Sequence, residues 1–290
     1  MPLAAGNAAL EEDKAMTRRI ITGACLAVLL GVALAFGGWV FSSLFMATIC
    51  CSMYEVYRCL KTAGHRPVQW PGWLCVIASL ILFNVDIGGM SGSVMYLMPL
   101  VGAACMITSA VVLFRNEPKL EDILVSVMPL VCVLLPAMCM LGLQNVENRL
   151  HQILLTLMAF GAPLAGDTLA YFIGSQFGKH KLCPAVSPKK STEGAAAGLL
   201  GSILFSMALC GIGAIFGPVQ PLWHYVVLGF LCGIAGQLGD LFASLIKRHC
   251  GVKDFGTIFP GHGGMMDRLD SVYWATVIVY VYLNLFMIAG

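Results

Sequence analysis

The chain has 290 residues, of which 59% are hydrophobic and only 11% are charged, whereas an ordinary soluble domain carries roughly 25% charged residues. A soluble fold of this length could not bury so much apolar surface, so the composition excludes a cytosolic globular enzyme, a disordered chain and a nucleic-acid-binding protein. It leaves an integral membrane protein, and the small net charge of +2 says little about partners.

Nine apolar segments approach the roughly 20 residues that a helix needs to cross a bilayer. They lie near residues 20–38, 39–58, 71–88, 93–114, 122–143, 152–174, 194–216, 222–246 and 269–289. None alternates polar and apolar residues as a barrel strand does, and a backbone in lipid must satisfy its hydrogen bonds internally. The sequence therefore predicts an all-α integral membrane protein with about nine transmembrane helices.

The predicted spans divide the chain into three parts. Residues 1–19 form a polar N-terminal segment, residues 20–145 hold about five spans, and residues 146–290 hold about four. The middle part carries no motif with recognisable chemistry, so we interpret it as a lipid-embedded scaffold and the last part as the catalytic region. Glu55, an acid near the end of the second span and close to Arg58, is interpreted as interfacial.

The distribution of basic residues predicts the orientation. With nine spans, 16 of the 17 Lys and Arg residues lie on the side of the N-terminus, and only Arg149 lies on the other. Cytoplasmic loops carry such an excess of positive charge. We therefore expect the N-terminus to face the cytoplasm. We further expect the membrane to be the inner (plasma) membrane of a bacterium.

The sixth and eighth predicted helices carry acidic residues near their cytoplasmic ends. An ionisable side chain within a span is energetically costly and therefore indicates a function. In the sixth, Asp167 and Tyr171 are four residues apart and share a face. In the eighth, the spacing of four and seven residues places three side chains on one stripe: Asp240, Ser244 and Lys247.

The ninth predicted helix opens with Asp267, Asp270 and Ser271 on one face. One interpretation is a network of acid–base pairs that ties the helices together. The other is a metal site, because hard divalent cations such as Mg²⁺ take carboxylate oxygens, keep several waters and bridge to substrate phosphates.

The loop before the seventh predicted helix supplies cations. Lys189 and Lys190 follow Ser187 and precede Ser191 and Thr192, either of which can cap the helix. Two lysines beside a helix N-terminus with free N–H groups can bind an anion. A positively charged anchor at the membrane surface is the alternative.

The loop over residues 253–268 combines glycine, histidine and charge. Gly263 and Gly264 allow backbone conformations that other residues rarely adopt, and exposed N–H groups in such turns can cradle phosphates. A lone histidine is usually structural. His262, however, stands between glycines and near Asp267, where packing alone would not require it, so we interpret it as functional.

The stretch from Ser244 to Asp270 resembles the signature of the phosphatidate cytidylyltransferases, also called CDP-diacylglycerol synthases. Its fixed positions are met at Ser244, Lys247, Arg248, Lys253, Asp254, Gly256, Pro260, His262, Gly263, Gly264, Asp267, Arg268 and Asp270. Two further family segments match, from Asp167 to Gly174 and from Ser187 to Gly194. The resemblance covers roughly residues 167–271, while the N-terminal half agrees only in span count and hydropathy.

The resemblance implies that CTP and phosphatidate react to give CDP-diacylglycerol and pyrophosphate, in a polar cavity on the cytoplasmic side. It implies Mg²⁺, with room for a second, monovalent cation such as K⁺, and a homodimer surrounded by membrane lipids. Asp240 and Asp267 would coordinate the metal and act in catalysis, with Asp270 and Asp167 in support. The other catalytic residues would be Lys247, Arg248, His262 and Arg268, and the substrate-binding residues Ser187, Lys189, Lys190, Ser244, Lys253, Asp254, Gly263, Gly264 and Tyr171.

Two alternatives stay open at this point. A CTP-dependent enzyme with a different lipid acceptor, such as an isoprenoid or an ether-linked lipid, would share this site chemistry. An ion or phosphate transporter with an aspartate relay is disfavoured, because the motifs concentrate on one face of the membrane. Towards the far side, only Asp86 and Glu147 offer acids.

Overall fold

The computed structural model describes residues 23–84, 93–259 and 263–287, and most of these residues are helical. The helices are α1 (Gly23–Phe36), α2 (Gly38–Thr62), α3 (Trp70–Asn84), α4 (Ser93–Leu113), α5 (Leu120–Pro129), α6 (Leu135–Leu143), α7 (Arg149–Phe177), α8 (Thr192–Phe216), α9 (Leu222–His249) and α10 (Met266–Tyr282). A π-helical turn, Leu130–Leu134, joins α5 to α6, and another, Leu283–Met287, extends α10.

Six helices in the described ranges are long and apolar enough to cross a membrane. They are Gly38–Thr62, Leu120–Leu143, Arg149–Phe177, Thr192–Phe216, Leu222–His249 and Met266–Met287. Shorter apolar helices, Gly23–Phe36, Trp70–Ser79 and Met98–Leu113, lie where three further spans are predicted. The predicted helical membrane protein is therefore confirmed, while the count of nine spans and the cytoplasmic position of the cavity stay predictions.

Small residues bring α7, α8 and α9 close together, as they do at helix contacts in membranes. Ser202 of α8 donates a hydrogen bond to the Ala162 carbonyl of α7 at 2.8 Å. A Cβ atom added to Gly201 would lie 2.8 Å from the Ala165 carbonyl oxygen, and one added to Gly233 of α9 would lie 2.9 Å from the Ser202 hydroxyl. These glycines therefore set the spacing of the three helices.

The connection between α7 and α8 adds a short β-hairpin to the predicted all-α fold. Strands β1 (Lys181–Cys183) and β2 (Ser187–Ser191) pair antiparallel there. The backbone N–H of Thr192 donates to the His180 carbonyl at 3.0 Å and closes the hairpin at the start of α8. Strands of three and five residues leave almost no periodic signal, so the sequence reads as a loop.

Helix α2 links the N-terminal helices to α10. Tyr273 of α10 is fully buried and donates a hydrogen bond to Ser52 of α2 at 3.1 Å. On the other side of α2, Tyr57 donates to the Ser126 carbonyl of α5 at 3.0 Å. The predicted scaffold and the predicted catalytic region therefore share one hydrophobic core.

We expect Gly201→Ala to destabilise the protein, because its methyl group would press on the Ala165 carbonyl. Overpacking of this kind costs about 1–3 kcal/mol. Gly211→Ala in the same helix is the matched control, since no atom lies within 4 Å of a Cβ added there. Both variants replace glycine by alanine within a helix, so the gain in helix propensity is common to both and cancels in the comparison. Thermal unfolding in detergent measures the difference, and a melting temperature of Gly201→Ala at or above that of Gly211→Ala would contradict the packing.

Candidate active site

A cavity of about 410 Å³ lies between α7, the β-hairpin, α8 and α9. Five predicted site residues line it: Asp167, Tyr171, Lys189, Lys190 and Asp240. The first two come from α7, the lysines from β2 and the last from α9. The fold therefore brings residues separated by up to 73 positions in the sequence to one cavity that carries both acids and bases.

Ser191 ends the hairpin and caps α8. Its hydroxyl oxygen accepts a hydrogen bond from the backbone N–H of Gly194 at 3.1 Å. In the first turn of α8, the Glu193 carboxylate contacts Nδ1 of His180 at 2.7 Å. Of the two capping candidates, Ser191 and Thr192, the structure selects Ser191. This cap fixes the end of β2 against the start of α8, next to the cavity.

Within the cavity, Lys190 forms an ion pair with Oδ2 of Asp240. Both side chains remain partly accessible, at 27% and 29%, and Lys189 beside them is exposed. One turn before Asp240, Gln237 donates a hydrogen bond to the Ala195 carbonyl at 3.0 Å and ties α9 to α8. The base and the acid therefore face a space that a soluble ligand can enter.

Asp270 of α10 extends this group of acids into the protein. It is buried, and its Oδ1 accepts a hydrogen bond from the backbone N–H of Ser271 at 2.7 Å. The carboxylates of Asp167, Asp240 and Asp270 lie within electrostatic range of one another. Three acids from three helices repel one another, and a cation placed near them offsets that repulsion.

A second cluster lies where the end of α9 meets the start of α10. Lys247 donates to Oδ1 of Asp267 at 2.8 Å, while Oδ2 accepts from the backbone N–H groups of Phe255 at 2.8 Å and Gly264 at 3.0 Å. The Asp267 side chain is only 3% exposed. Lys247 also lies 5.4 Å from the centre of the Phe255 ring. Asp267 therefore fastens the signature loop, residues 250–265 between α9 and α10, to the helix that follows it.

Glu55 of α2 is the residue near this cluster that the sequence analysis missed. It is 2% exposed, and its two oxygens accept hydrogen bonds from the backbone N–H groups of Met265 at 3.0 Å and Met266 at 2.8 Å. These N–H groups lie at the N-terminus of α10, whose positive end favours a carboxylate. The interfacial interpretation of Glu55 is wrong. An acid inside a predicted span is a signal of function, but the nearby Arg58 favoured the interfacial interpretation.

The two glycines of the signature loop occupy positions that restrict side chains. Gly263 has a φ of +82°, in the left-handed region that favours glycine. A Cβ atom added to Gly264 would strike the Glu55 carboxylate. The sequence predicts that the backbone at Gly264 approaches a phosphate closely. In the structure, the group that the Gly264 backbone approaches is the buried carboxylate of Glu55.

The other predicted residues lie around these two clusters. The guanidinium Nε of Arg248 donates to the Val186 carbonyl in the hairpin turn at 3.4 Å. Exposed positions are Lys253, Asp254 and Arg268, and partly buried ones are Ser187 and Ser244. His262 and Asp86 lie outside the described residues.

The profile of the cytidylyltransferase family matches residues 17–286. This chain belongs to the cytidylyltransferase family. The phosphatidate cytidylyltransferase of Bacillus subtilis is 30% identical to it over 281 residues, which cover 93% of this chain and 98% of the relative. That of Staphylococcus saprophyticus is 33% identical over 214 residues, covering 73% and 79%. The chloroplastic phosphatidate cytidylyltransferase 4 of Arabidopsis thaliana is 28% identical over 302 residues, covering 93% and 73%.

These similarities confirm the resemblance found in the motifs and extend it. The motifs lie within residues 167–271, whereas the family profile begins at residue 17. The N-terminal helices of this cytidylyltransferase are therefore part of what defines the family.

The two lysine–aspartate pairs should differ in their contribution to stability. Lys247→Met leaves the carboxylate of Asp267 buried without its cation, and we expect a loss of about 3–5 kcal/mol. Lys190→Met is the matched control, because it breaks a partly exposed pair worth about 0–1 kcal/mol. Denaturation of both variants in detergent measures the free energy of unfolding. Equal losses in the two variants would contradict the assignment of Lys247–Asp267 as the buried pair and Lys190–Asp240 as the partly exposed one.

Proposed function

We propose that this cytidylyltransferase transfers the cytidylyl group of CTP to phosphatidate, forming CDP-diacylglycerol and releasing pyrophosphate. The observation that carries the proposal is the cavity in which Asp167 and Asp240 lie together with Lys189 and Lys190. The three relatives named as phosphatidate cytidylyltransferases support the choice of acceptor.

The reaction requires positioning and charge neutralisation more than covalent chemistry by the protein. An oxygen of the phosphatidate phosphate forms a bond to the α-phosphorus of CTP. The bond from that phosphorus to the oxygen that bridges it to the β-phosphate breaks, and the electron pair leaves with pyrophosphate. Lysine and arginine side chains offset the negative charge of the reacting groups.

The two lysine–aspartate pairs hold ammonium groups near the proposed reaction. Lys190 is fixed beside Asp240 in the cavity, and Lys247 beside Asp267 at the end of the same helix. Lys190, whose pair is partly exposed, can exchange the carboxylate oxygen for a phosphate oxygen of the nucleotide, whereas Lys247 is 12% exposed and stays paired with the buried Asp267. Lys189 is the exposed base at the mouth of the cavity, where it can meet a phosphate that arrives from water.

The residues fit Mg²⁺ in the form in which it binds with a nucleotide. Among the described residues, no three His, Cys, Asp or Glu side chains stand close enough to enclose a metal ion. Mg²⁺, however, is usually held by one or two carboxylates, substrate phosphates and waters. Asp240 faces the cavity. Asp267 keeps a lone pair at Oδ1, which accepts from Lys247 alone, whereas Oδ2 already accepts two N–H groups.

We therefore propose Asp240 and Asp267 as the Mg²⁺ ligands, with Asp167 and Asp270 in support and a second, monovalent ion such as K⁺ near the same acids. Bound Mg²⁺ would supply a Lewis acid for the phosphate oxygens and the leaving pyrophosphate. The protein's own acids supply the negative charge that attracts the ion to this end of the helices.

The surface beside the cavity suits a substrate with acyl chains. Tyr171 and Phe172 of α7 are 72% and 58% exposed, and Phe177 at the end of the helix is also exposed. Tyrosine is enriched where hydrocarbon meets the polar headgroups, and the phenylalanine rings are apolar. We propose that the acyl chains of phosphatidate stay in lipid along this surface while its phosphate enters the cavity from the cytoplasmic leaflet. The homodimer and the bacterial inner membrane are predictions of the family resemblance.

Purified protein in detergent should form CDP-diacylglycerol and pyrophosphate from CTP and phosphatidate only when Mg²⁺ is present. Asp240→Asn should lower kcat/KM at least about 100-fold, because the variant loses the charge that holds the ion. Glu147→Gln, an exposed acid between α6 and α7, is the matched control and should retain activity. Product formation in excess chelator would overturn the metal assignment, and failure of phosphatidate beside another active lipid acceptor would overturn the choice of acceptor.

An odd number of spans places the two ends of the chain on opposite sides of the membrane. We expect a tag on Met1 to be cleaved by protease only from the cytoplasmic side and a tag on Gly290 only from the other side. Right-side-out and inverted vesicles of the same preparation measure both tags. Cleavage of both tags from one side would contradict the prediction of nine spans.

A further inference from the structure

Glu55 is a buried acid that the proposed reaction does not use. It lies in α2, in the half of the chain without signature motifs, and is 2% exposed. Within the described residues, no lysine or arginine lies within ion-pair distance of it. Its charge is instead balanced by the N-terminus of α10, through the N–H groups of Met265 and Met266.

The signature loop is shaped around this carboxylate from two directions. Gly256 and Gly264 stand on opposite sides of the segment that lies outside the described residues. A Cβ atom added to either glycine would strike the Glu55 side chain. Two separate stretches of the loop therefore contact one acid that belongs to a distant helix, and glycine at both positions makes this approach feasible.

This contact lies one peptide unit away from the contact that holds Asp267. The N–H of Met265 donates to Glu55, and the N–H of the preceding Gly264 donates to Oδ2 of Asp267. The two N–H groups lie on successive planar peptide units, and only the φ and ψ angles of Gly264 separate them. Movement of the first turn of α10 away from Glu55 would therefore shift both Asp267 and the neighbouring Gly264 N–H that it accepts from.

We propose that Glu55 is a positioning residue of the active site, which holds the start of α10 so that Asp267 keeps the orientation needed for catalysis. It touches neither substrate, and its action passes through the backbone of residues 264–266. The inference rests on the proposed function for its kinetic consequence only, since the contact itself can be measured without turnover. It also assigns an active-site role to the N-terminal helices.

The competing interpretation is that Glu55 merely fastens α2 to α10. The chain offers a matched control for it, because Tyr273 of α10 donates a buried hydrogen bond to Ser52 of α2 at 3.1 Å. Tyr273→Phe removes a buried polar contact between the same two helices and leaves the signature loop untouched. Glu55→Gln removes the charge at nearly constant volume and leaves an amide that cannot accept both N–H groups.

Hydrogen–deuterium exchange of the detergent-solubilised protein tests the contact. In Glu55→Gln, we expect the amides of Met265 and Met266 to exchange about 10–100-fold faster, the range set by losing a hydrogen bond to a charged group. Tyr273→Phe should leave them as in the unmodified protein. Unchanged exchange in Glu55→Gln would overturn the proposal. If that variant does not fold, Glu55→Asp, which keeps the charge on a shorter side chain, replaces it with the same criterion.

Steady-state kinetics test the consequence for catalysis. Glu55→Gln should lower kcat at least about 10-fold and raise the Mg²⁺ concentration for half-maximal activity, with little change in KM for CTP, whereas Tyr273→Phe should keep both values. Equal losses of kcat in the two variants would show a structural role and overturn the proposal. Absence of CDP-diacylglycerol synthesis in the unmodified protein would instead overturn the proposed function, and the exchange measurement would still decide whether Glu55 holds α10.

Discussion

A carboxylate inside an apolar helix bundle must find a cation or N–H donors, because an isolated buried charge costs more than a fold of this size can offset. Asp267 meets this constraint with one lysine and two backbone N–H groups, and Glu55 meets it with the N-terminus of α10. These two acids therefore determine how the loop between α9 and α10 folds. The proposed chemistry at this end of the bundle depends on the same contacts.

The cavity depends on a different constraint, the distance between helices. Gly201 and Gly233 allow α7, α8 and α9 to approach closely, and this approach brings Asp167 and Asp240 to one space. The β-hairpin then adds the basic side chains from outside the helices. Its position is fixed by Ser191, whose cap joins the last residue of β2 to the first turn of α8. The close packing of small residues between the helices thus brings charged residues of a chain with few charges to one cavity.

Local patterns in the sequence predicted what depends on local interactions. Hydropathy located the helices within a few residues, and cap chemistry narrowed the start of α8 to Ser191 or Thr192. The motif residues Asp167, Lys190 and Asp240 do meet in one cavity. The hairpin escaped prediction because its strands are too short for periodicity to appear. The contact between Glu55 and Met265 spans 210 residues, and a single sequence carries no record of such a pairing.

The error about Glu55 has a general physical cause. An acid near a helix end has two inexpensive environments, the membrane interface and the positive end of another helix, and only the second depends on a distant partner. Arg58 made the first environment plausible from the sequence. The family profile covers α2 as well as the motif region, which fits a fold in which the N-terminal helices form one core with α10. Glu55 has no basic partner within ion-pair distance among the described residues. If the N-terminal helices only anchored the enzyme in lipid, they would not need such a buried acid directed at the start of the helix that carries Asp267.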